Sequence, residues 1–384
     1  MVRKLLFLTA VLMTAGTLYA APVDSVAPSA AGRGGFVKRV IEYLKEDSVE
    51  REANARKRFS VNLLGGPSYA KDSKFMLALA GVIHYRLDGC EYPMQPSSMT
   101  VSGTVSTAKF WSVGASGITL LDRDRHRLNT DIWLGYMPLD FWGLGYDMGA
   151  DSQNKSKIYE LKARVHFDYL RRVSPAFFIG PSIEWNYHNS GKMDRPELIE
   201  GQDGVVRNYG VGLTLQYDNR DLMTNASRGL YVYYGVLFRP KFLWNKYAFT
   251  TNDLRICYYH SAWTGCIIAG ELRGLFNFGN PSWAMLARLG SNSSMRGYYQ
   301  GRFRDKHMIT GQVEFRQHVW RRSGLVAWVG CGSVFHDSES FKHWLPNYGI
   351  GYRFEFRNRM NIRFDYGFGA KGENGFMFSI NEAF

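Results

Sequence analysis

The stretch Lys157-Ile158-Tyr159-Glu160-Leu161-Lys162-Ala163-Arg164-Val165-His166-Phe167-Asp168-Tyr169 decides the fold. Tyr159, Leu161, Ala163, Val165, Phe167 and Tyr169 fall on one face of a period-two chain, and Glu160, Lys162, Arg164, His166 and Asp168 fall on the other. Such alternation marks a strand whose two faces meet different media. A soluble sandwich also alternates, but few of its strands carry so many charges. The contrast recurs downstream. Ile309, Val313, Phe315 and Val319 oppose Thr310, Gln312, Glu314, Arg316 and His318; Tyr348, Ile350, Tyr352, Phe354 and Phe356 oppose Arg353, Glu355 and Arg357; Met360, Ile362, Phe364, Tyr366 and Phe368 oppose Asn361, Arg363 and Asp365. In lipid the apolar face must be the outer one, and every backbone polar group must be paired, which only a closed barrel provides for strands. The charged face then lines a wet lumen.

Alternating segments begin near Ser60, Lys74, Ser97, Phe110, Arg127, Lys157, Ala176, Val206, Leu230, Tyr247, Gly265, Met308, Leu325, Tyr348, Met360 and Gly375. The sequence therefore predicts an all-β fold, a transmembrane antiparallel β-barrel of about 16 strands, the even count usual for bacterial single-chain barrels. Connections alternate in length. Pro138 to Ser156, Asn189 to Val205 and Phe278 to His307 are long and are expected to face outward; Asp122 to His126, Arg171 to Pro175, Ser261 to Thr264 and Arg321 to Gly324 are short and are expected on the periplasmic side. Phe376, Phe378, Ile380 and Phe384 share one face of the last strand if the alternation continues, with Glu382 as an exception.

Composition agrees with a barrel. The chain has 23 Tyr, 25 Phe and 10 Trp, together 15% of its residues, and amphipathic rings in that number suit two interfacial girdles. No apolar run is long enough to cross a bilayer as a helix. At the N-terminus, Arg3 and Lys4, the apolar run Leu5 to Leu18 and the small residues Ala20-Ala21 read as a secretory signal peptide over 1–20. A flexible linker over 21–35 follows, then an amphipathic helix over 36–58 with Phe36, Val37, Val40, Ile41, Tyr43 and Leu44 at helical spacing. That helix either lies solvated in the periplasm or plugs the lumen. The barrel takes 59–384.

The formal charge of +13 falls to 13 − 2 = +11 once Arg3 and Lys4 are removed. In an exported chain this excess points to anionic lipid headgroups and lipopolysaccharide, with no nucleic acid partner. Cys90, Cys257, Cys266 and Cys331 are scattered and read as free packing residues, without metal-ligand spacing. No cofactor is expected. The chain has no Gly-x-Ser-x-Gly elbow, its histidines are dispersed, and His318, near Glu314 on one strand face, reads as a lumen hydrogen-bonding residue rather than a catalytic base, so the chain is expected not to be an enzyme.

Three segments resemble the outer-membrane barrel-assembly superfamily, the bacterial surface antigens that include BamA and TamA. Ser294-Met295-Arg296-Gly297-Tyr298-Tyr299-Gln300-Gly301-Arg302-Phe303-Arg304-Asp305 is similar to the family's Arg-Gly-aromatic motif, at its place in the sixth outer loop. Tyr217-Asp218-Asn219-Arg220-Asp221, with Gly229, resembles the periplasmic turn between strands eight and nine, and Gln312-Val313-Glu314-Phe315-Arg316 resembles strand twelve. The resemblance runs from about Ser60 to Phe384. It implies a loop folded into the lumen with Arg296 partly buried, and a guanidinium so placed needs acceptors for its planar fork. Glu314 is the first candidate partner, Gly297 frees the backbone, and Tyr298 can pack the lumen wall.

The chain departs from the family twice. Residues 21–58 are too few for one POTRA domain, and Val329-Gly330-Cys331-Gly332 stands where strand thirteen commonly offers an Asp to the arginine, which implies a reduced or relocated anchor. The resemblance further implies a role in outer-membrane protein insertion, translocation or envelope assembly, with an envelope protein partner or a homodimer. It implies recognition of the C-terminal strand, Phe376, Phe378, Ile380 and Phe384, by the barrel-assembly machinery during biogenesis, and a weakly closed seam at a first strand containing Gly65 and Gly66. The alternative is a channel or structural barrel without insertase activity.

Overall fold

The computed structural model describes residues 56–70, 74–356 and 360–384. The leader over 1–20, the linker over 21–35 and the helix over 36–58, save its last three positions, lie outside the described residues. Sixteen antiparallel strands pair in chain order into one sheet. They are β1 Phe59–Ala70, β2 Lys74–Tyr85, β3 Ser97–Ser106, β4 Trp111–Leu121, β5 His126–Phe141, β6 Ser156–Ser174, β7 Phe177–Met193, β8 Val205–Asp218, β9 Gly229–Arg239, β10 Phe249–Trp263, β11 Cys266–Gly279, β12 His307–Trp320, β13 Ser323–Phe335, β14 Leu345–Phe356, β15 Met360–Gly369 and β16 Asn374–Ile380. No described helix is long and apolar enough to cross a membrane.

The faces divide as the period-two reading requires. On β6, β7 and β8, Glu160, His166, Asp168, Ser182, Glu184, Asn208 and Thr214 are buried, whereas Tyr169, Ile183, Val211 and Leu213 are exposed. A sheet whose charged face is the covered one has its polar side inside. Contacts across that interior join strands far apart in the pairing order. Arg127 of β5 reaches Asp218 of β8 at 3.3 Å, and Tyr299 accepts a hydrogen bond from the Asp140 amide at the end of β5 while its own amide donates to Glu373 between β15 and β16. The sheet therefore curls round on itself as a barrel. Exposed Trp263 and Trp320 stand at one rim and Trp244 and Trp344 at the other, where amphipathic rings settle between hydrocarbon and water.

Loop lengths depart from the simple alternation. At the rim that carries Phe59 and Ile380, here the inner rim, the turns at 122–125, 175–176, 264–265 and 321–322 are tight, but 86–96 and 219–228 are not. These two longer segments meet: Gln95 donates to the Asp221 carbonyl at 3.1 Å and accepts from the Met223 amide at 3.2 Å. They close over the inner end of the lumen instead of simply reversing the chain. The four cysteines are free, with Cys331 exposed on the outer face.

The outward face sets a folding prediction. Ile183→Arg puts a cation on the lipid side near the middle of β7 and should destabilise the folded barrel by about 2–4 kcal/mol, whereas Ile183→Leu should stay within about 1.5 kcal/mol. Urea-titrated folding into lipid vesicles measures both, and equal small effects would contradict a lipid-facing Ile183.

Candidate functional site

The connection from β11 to β12 turns into the barrel instead of away from it. Ala287–Arg288 pairs with Arg304–Asp305 as a two-residue antiparallel ribbon, which brings the ends of the loop together. Leu289, Met295 and Phe303, each no more than 1% exposed, then pack with Tyr298, Met308, Val334 and Leu345. Burying side chains of this size contributes roughly 1.5–3 kcal/mol each. The loop is thus held by apolar packing against the wall before any charge is counted.

Arg296 sits at its tip, fully buried. Its Nη2 donates to Glu314 at 2.5 Å and its Nη1 to Asp365 at 2.8 Å, while the guanidinium lies over the Trp328 ring at 3.6 Å. From these two carboxylates the pairing continues. Glu314 accepts from Arg316 at 2.6 Å, Arg316 lies 3.7 Å from Glu382, Arg353 donates to Glu382 at 2.9 Å, and Arg353 also donates to Asp365 at 2.6 Å. Arg296, Glu314, Arg316, Glu382, Arg353 and Asp365 form a closed circuit of alternating charge. In a medium of low dielectric each lone charge would be strongly disfavoured, and the circuit leaves none without an opposite neighbour on both sides.

The backbone at the tip depends on the absence of side chains. Gly297 has φ +102, and a Cβ there would stand 2.5 Å from the Gly367 carbonyl oxygen of β15; a Cβ on Gly367 would stand 2.2 Å from the Arg296 carbonyl oxygen. Two glycines face each other and let loop and wall touch. Asn347 then donates to the Arg296 carbonyl and to that of Phe368, and its side-chain oxygen accepts from the Trp328 indole at 2.9 Å. Tyr298 donates to the Pro346 carbonyl and accepts from the Ala370 amide, both at 2.6 Å. Arg302 donates to the Gly149 carbonyl at 2.8 Å and pairs with Glu373. Asp305 contacts His336 at 2.9 Å, and that carboxylate raises the imidazole pKa above its ordinary value.

The structure brings Arg296, Gly297, Tyr298 and Glu314 together, and places Arg302 and Asp305 on the same loop nearer the outer rim. The second carboxylate was not singled out from sequence. It is Asp365 on β15, not a residue of β13, whose inward Trp328 and Val334 are apolar where the loop packs. The turn residues form a separate inner-rim cluster. Arg220 donates to Asp218 at 2.8 and 3.0 Å, Asp221 accepts from the Ser227 amide at 2.8 Å, and Gly229 has φ +115.

Two expectations are corrected. Phe376 and Phe378 face outward, but Phe384 does not share their face, since Asn381 takes φ +65 and the chain turns inward. Phe384 lies against Tyr259 at 6.2 Å with its carbonyl accepting from Arg316, and Glu382 points to the charge circuit. His318 lies exposed near the turn, at 2.6 Å from the Arg321 carbonyl, and is not a lumen partner of Glu314. The lumen around Arg296 is packed rather than wet.

No family model and no curated protein matches the chain. Among solved structures, the chain is similar to BamA from Haemophilus ducreyi lacking POTRA domains 1–3, with TM-score 0.53 and 12% identity over 85% of this chain and 69% of that one. It is similar to CdiB from Acinetobacter baumannii, with TM-score 0.54 and 13% identity over 85% of this chain and 60% of that one. The outer membrane protein opdK from Pseudomonas aeruginosa matches at TM-score 0.37, too low to add to the argument. The first two likenesses show the fold alone, a β-barrel like those of BamA and CdiB.

Arg296→Ala takes one cation from each of two buried carboxylates and should cost about 3–5 kcal/mol, read by urea-titrated folding into vesicles together with new protease cleavage in 291–303; a loop that stays protected would contradict the anchor. Because the His336 pKa is raised, its contact with Asp305 stabilises fully below the ordinary histidine pKa and is lost as pH rises through the folded-state value. NMR titration should place His336 above a free histidine, and Asp305→Asn should bring it back.

Proposed function

We propose that this chain works in the outer membrane as a non-enzymatic barrel that helps insert, translocate or hold another envelope component, reaching that membrane through its signal peptide. The observation that carries the reading is the loop drawn into the lumen and held by Arg296 between β12 and β15, next to the last strand. A passive wall has no need of a buried six-charge fastening at that place. A second feature agrees. β1 and β16 stand at the two ends of the pairing order, and β16 has seven residues where a spanning strand needs about 9–11. Gly65 and Gly66 lie within β1, and glycine weakens a strand interior. A short strand beside a weakened one is the place where a barrel wall opens most readily to an incoming edge.

The likeness in fold to BamA and CdiB supports the same reading. In this proposal the C-terminal strand, with Phe376, Phe378 and Phe384, serves as the recognition element for the assembly machinery before folding. Lipid headgroups and lipopolysaccharide meet the basic surface, and an envelope protein or a second copy is the working partner. The rival is a channel, favoured by chambers of about 260 and 740 Å³ among the described residues of the lumen.

Depleting the protein and profiling outer-membrane proteins and surface lipids tests the proposal. A selective loss of one component is expected, and an unchanged profile would sink it. Planar-bilayer recordings address the rival: a steady conductance in the intact protein speaks for a channel, and silence until the loop is deleted speaks against one.

A further inference from the structure

The smaller chamber lies between the tucked loop and the inner face of β6, β7 and β9 to β12, with a volume of about 260 Å³. Five cations line it, Lys162, Arg164, Arg239, Arg273 and Arg288, against two carboxylates, Glu184 and Asp253. Those carboxylates are already engaged. Glu184 takes both Arg164, at 3.0 Å, and Arg239, while Asp253 stands 3.8 Å from Arg273. Glu160, behind the lining, lies 3.6 Å from Arg288 but is 2.6 Å from His188. Among the described residues, the Lys162 ammonium has no carboxylate within 4 Å and no hydrogen-bond partner; it lies 5.6 Å from the Trp133 ring.

Two further facts raise the positive potential. Arg304 opposes Arg288 directly across the loop ribbon, and like charges so placed repel. Arg304 donates to the Gly301 carbonyl at 2.9 Å, and its buried Nη1 has no partner. The Nε groups of Arg239 and Arg273, both residues of the chamber lining, are likewise buried and unpartnered. Cations and N–H donors shut away from water without acceptors are strongly disfavoured unless an anion joins them.

We infer that this chamber binds a compact oxyanion of the phosphate class, with the Lys162 ammonium and the Arg288 guanidinium as its principal contacts. Its volume falls below the roughly 300–1,000 Å³ typical of sites for larger organic ligands, and its lining of guanidinium and ammonium groups suits the geometry of phosphate oxygens. Free phosphate and the phosphate of a lipid or sugar headgroup share this chemistry. The inference does not depend on the insertion role.

The test uses the whole protein in phosphate-free zwitterionic detergent, following thermal unfolding and calorimetric titration with inorganic phosphate against chloride at constant ionic strength. Phosphate should raise the unfolding midpoint where chloride does not, and Lys162→Met and Arg288→Met should each weaken binding tenfold or more. Lys157→Met, near Asp140 at the outer end of β6, should leave binding unchanged. Without phosphate, Lys162→Met should match or exceed the native chain in stability, because it removes a cation that no carboxylate meets within 4 Å; a lysine with only a structural role would behave the opposite way. Mass spectrometry of protein extracted from native membranes separates the sources: a retained phosphorylated lipid that inorganic phosphate displaces identifies a headgroup, and its absence alongside phosphate binding identifies the free ion. Equal response to phosphate and chloride, or phosphate binding indifferent to both substitutions, overturns the site.

Discussion

Three arginines and three carboxylates, all withdrawn from water, hold the centre of this barrel together. A single buried ion pair rarely contributes net stability, because removing both charges from water costs about as much as their attraction returns. A closed circuit changes the geometry of that problem. Each of Glu314, Asp365 and Glu382 meets at least two cations, Arg363 being a further one at Asp365, and each of Arg296, Arg316 and Arg353 meets at least two carboxylates. Desolvation is suffered once per group while attraction is collected on both sides. The members come from one loop, three strands of the wall and the residues after the last strand, so the circuit fastens the loop and β12 to β14 and β15, with which they share no backbone hydrogen bonds.

The apolar elements make this arrangement possible. Leu289, Met295 and Phe303 bring the loop down onto the wall, the facing glycines Gly297 and Gly367 let the two backbones touch, and Trp328 covers the guanidinium. Attraction between charges falls with distance and with the dielectric around them. Excluding water from the tip therefore strengthens every contact in the circuit, and packing and electrostatics act here as one device.

Much of this was legible in the sequence. The alternation around Lys157–Tyr169 is strong because each strand faces lipid on one side, so a polar residue there carries a direct penalty, and the strand starts follow from it. Arg296 and Glu314 were legible through their motif. Asp365 was visible as an inward residue of β15 but not as a partner, since neighbours across the interior of a ring leave no trace in spacing along the chain. Glu382 looked like an exception only because the period of two was extended past Ile380; the left-handed backbone at Asn381 ends that period and turns both Glu382 and Phe384 inward. The inward Trp328 and Val334 break the rule of a polar interior because the loop, not water, meets them. The inward closing of 219–228 rests on contacts with 86–96, which no local pattern announces.

The circuit also restricts how such a sequence can drift through evolution. Neutralising any one member takes an opposite charge from two or more neighbours at once, so isolated replacements should be purged while compensated ones survive. A lineage that loses Asp365 would need a carboxylate to arrive elsewhere on the wall within reach of both Arg296 and Arg353, or would have to surrender one of those cations in the same step. Among relatives these six positions should vary as a correlated set, and the set would identify a shared ancestry even where overall similarity has faded.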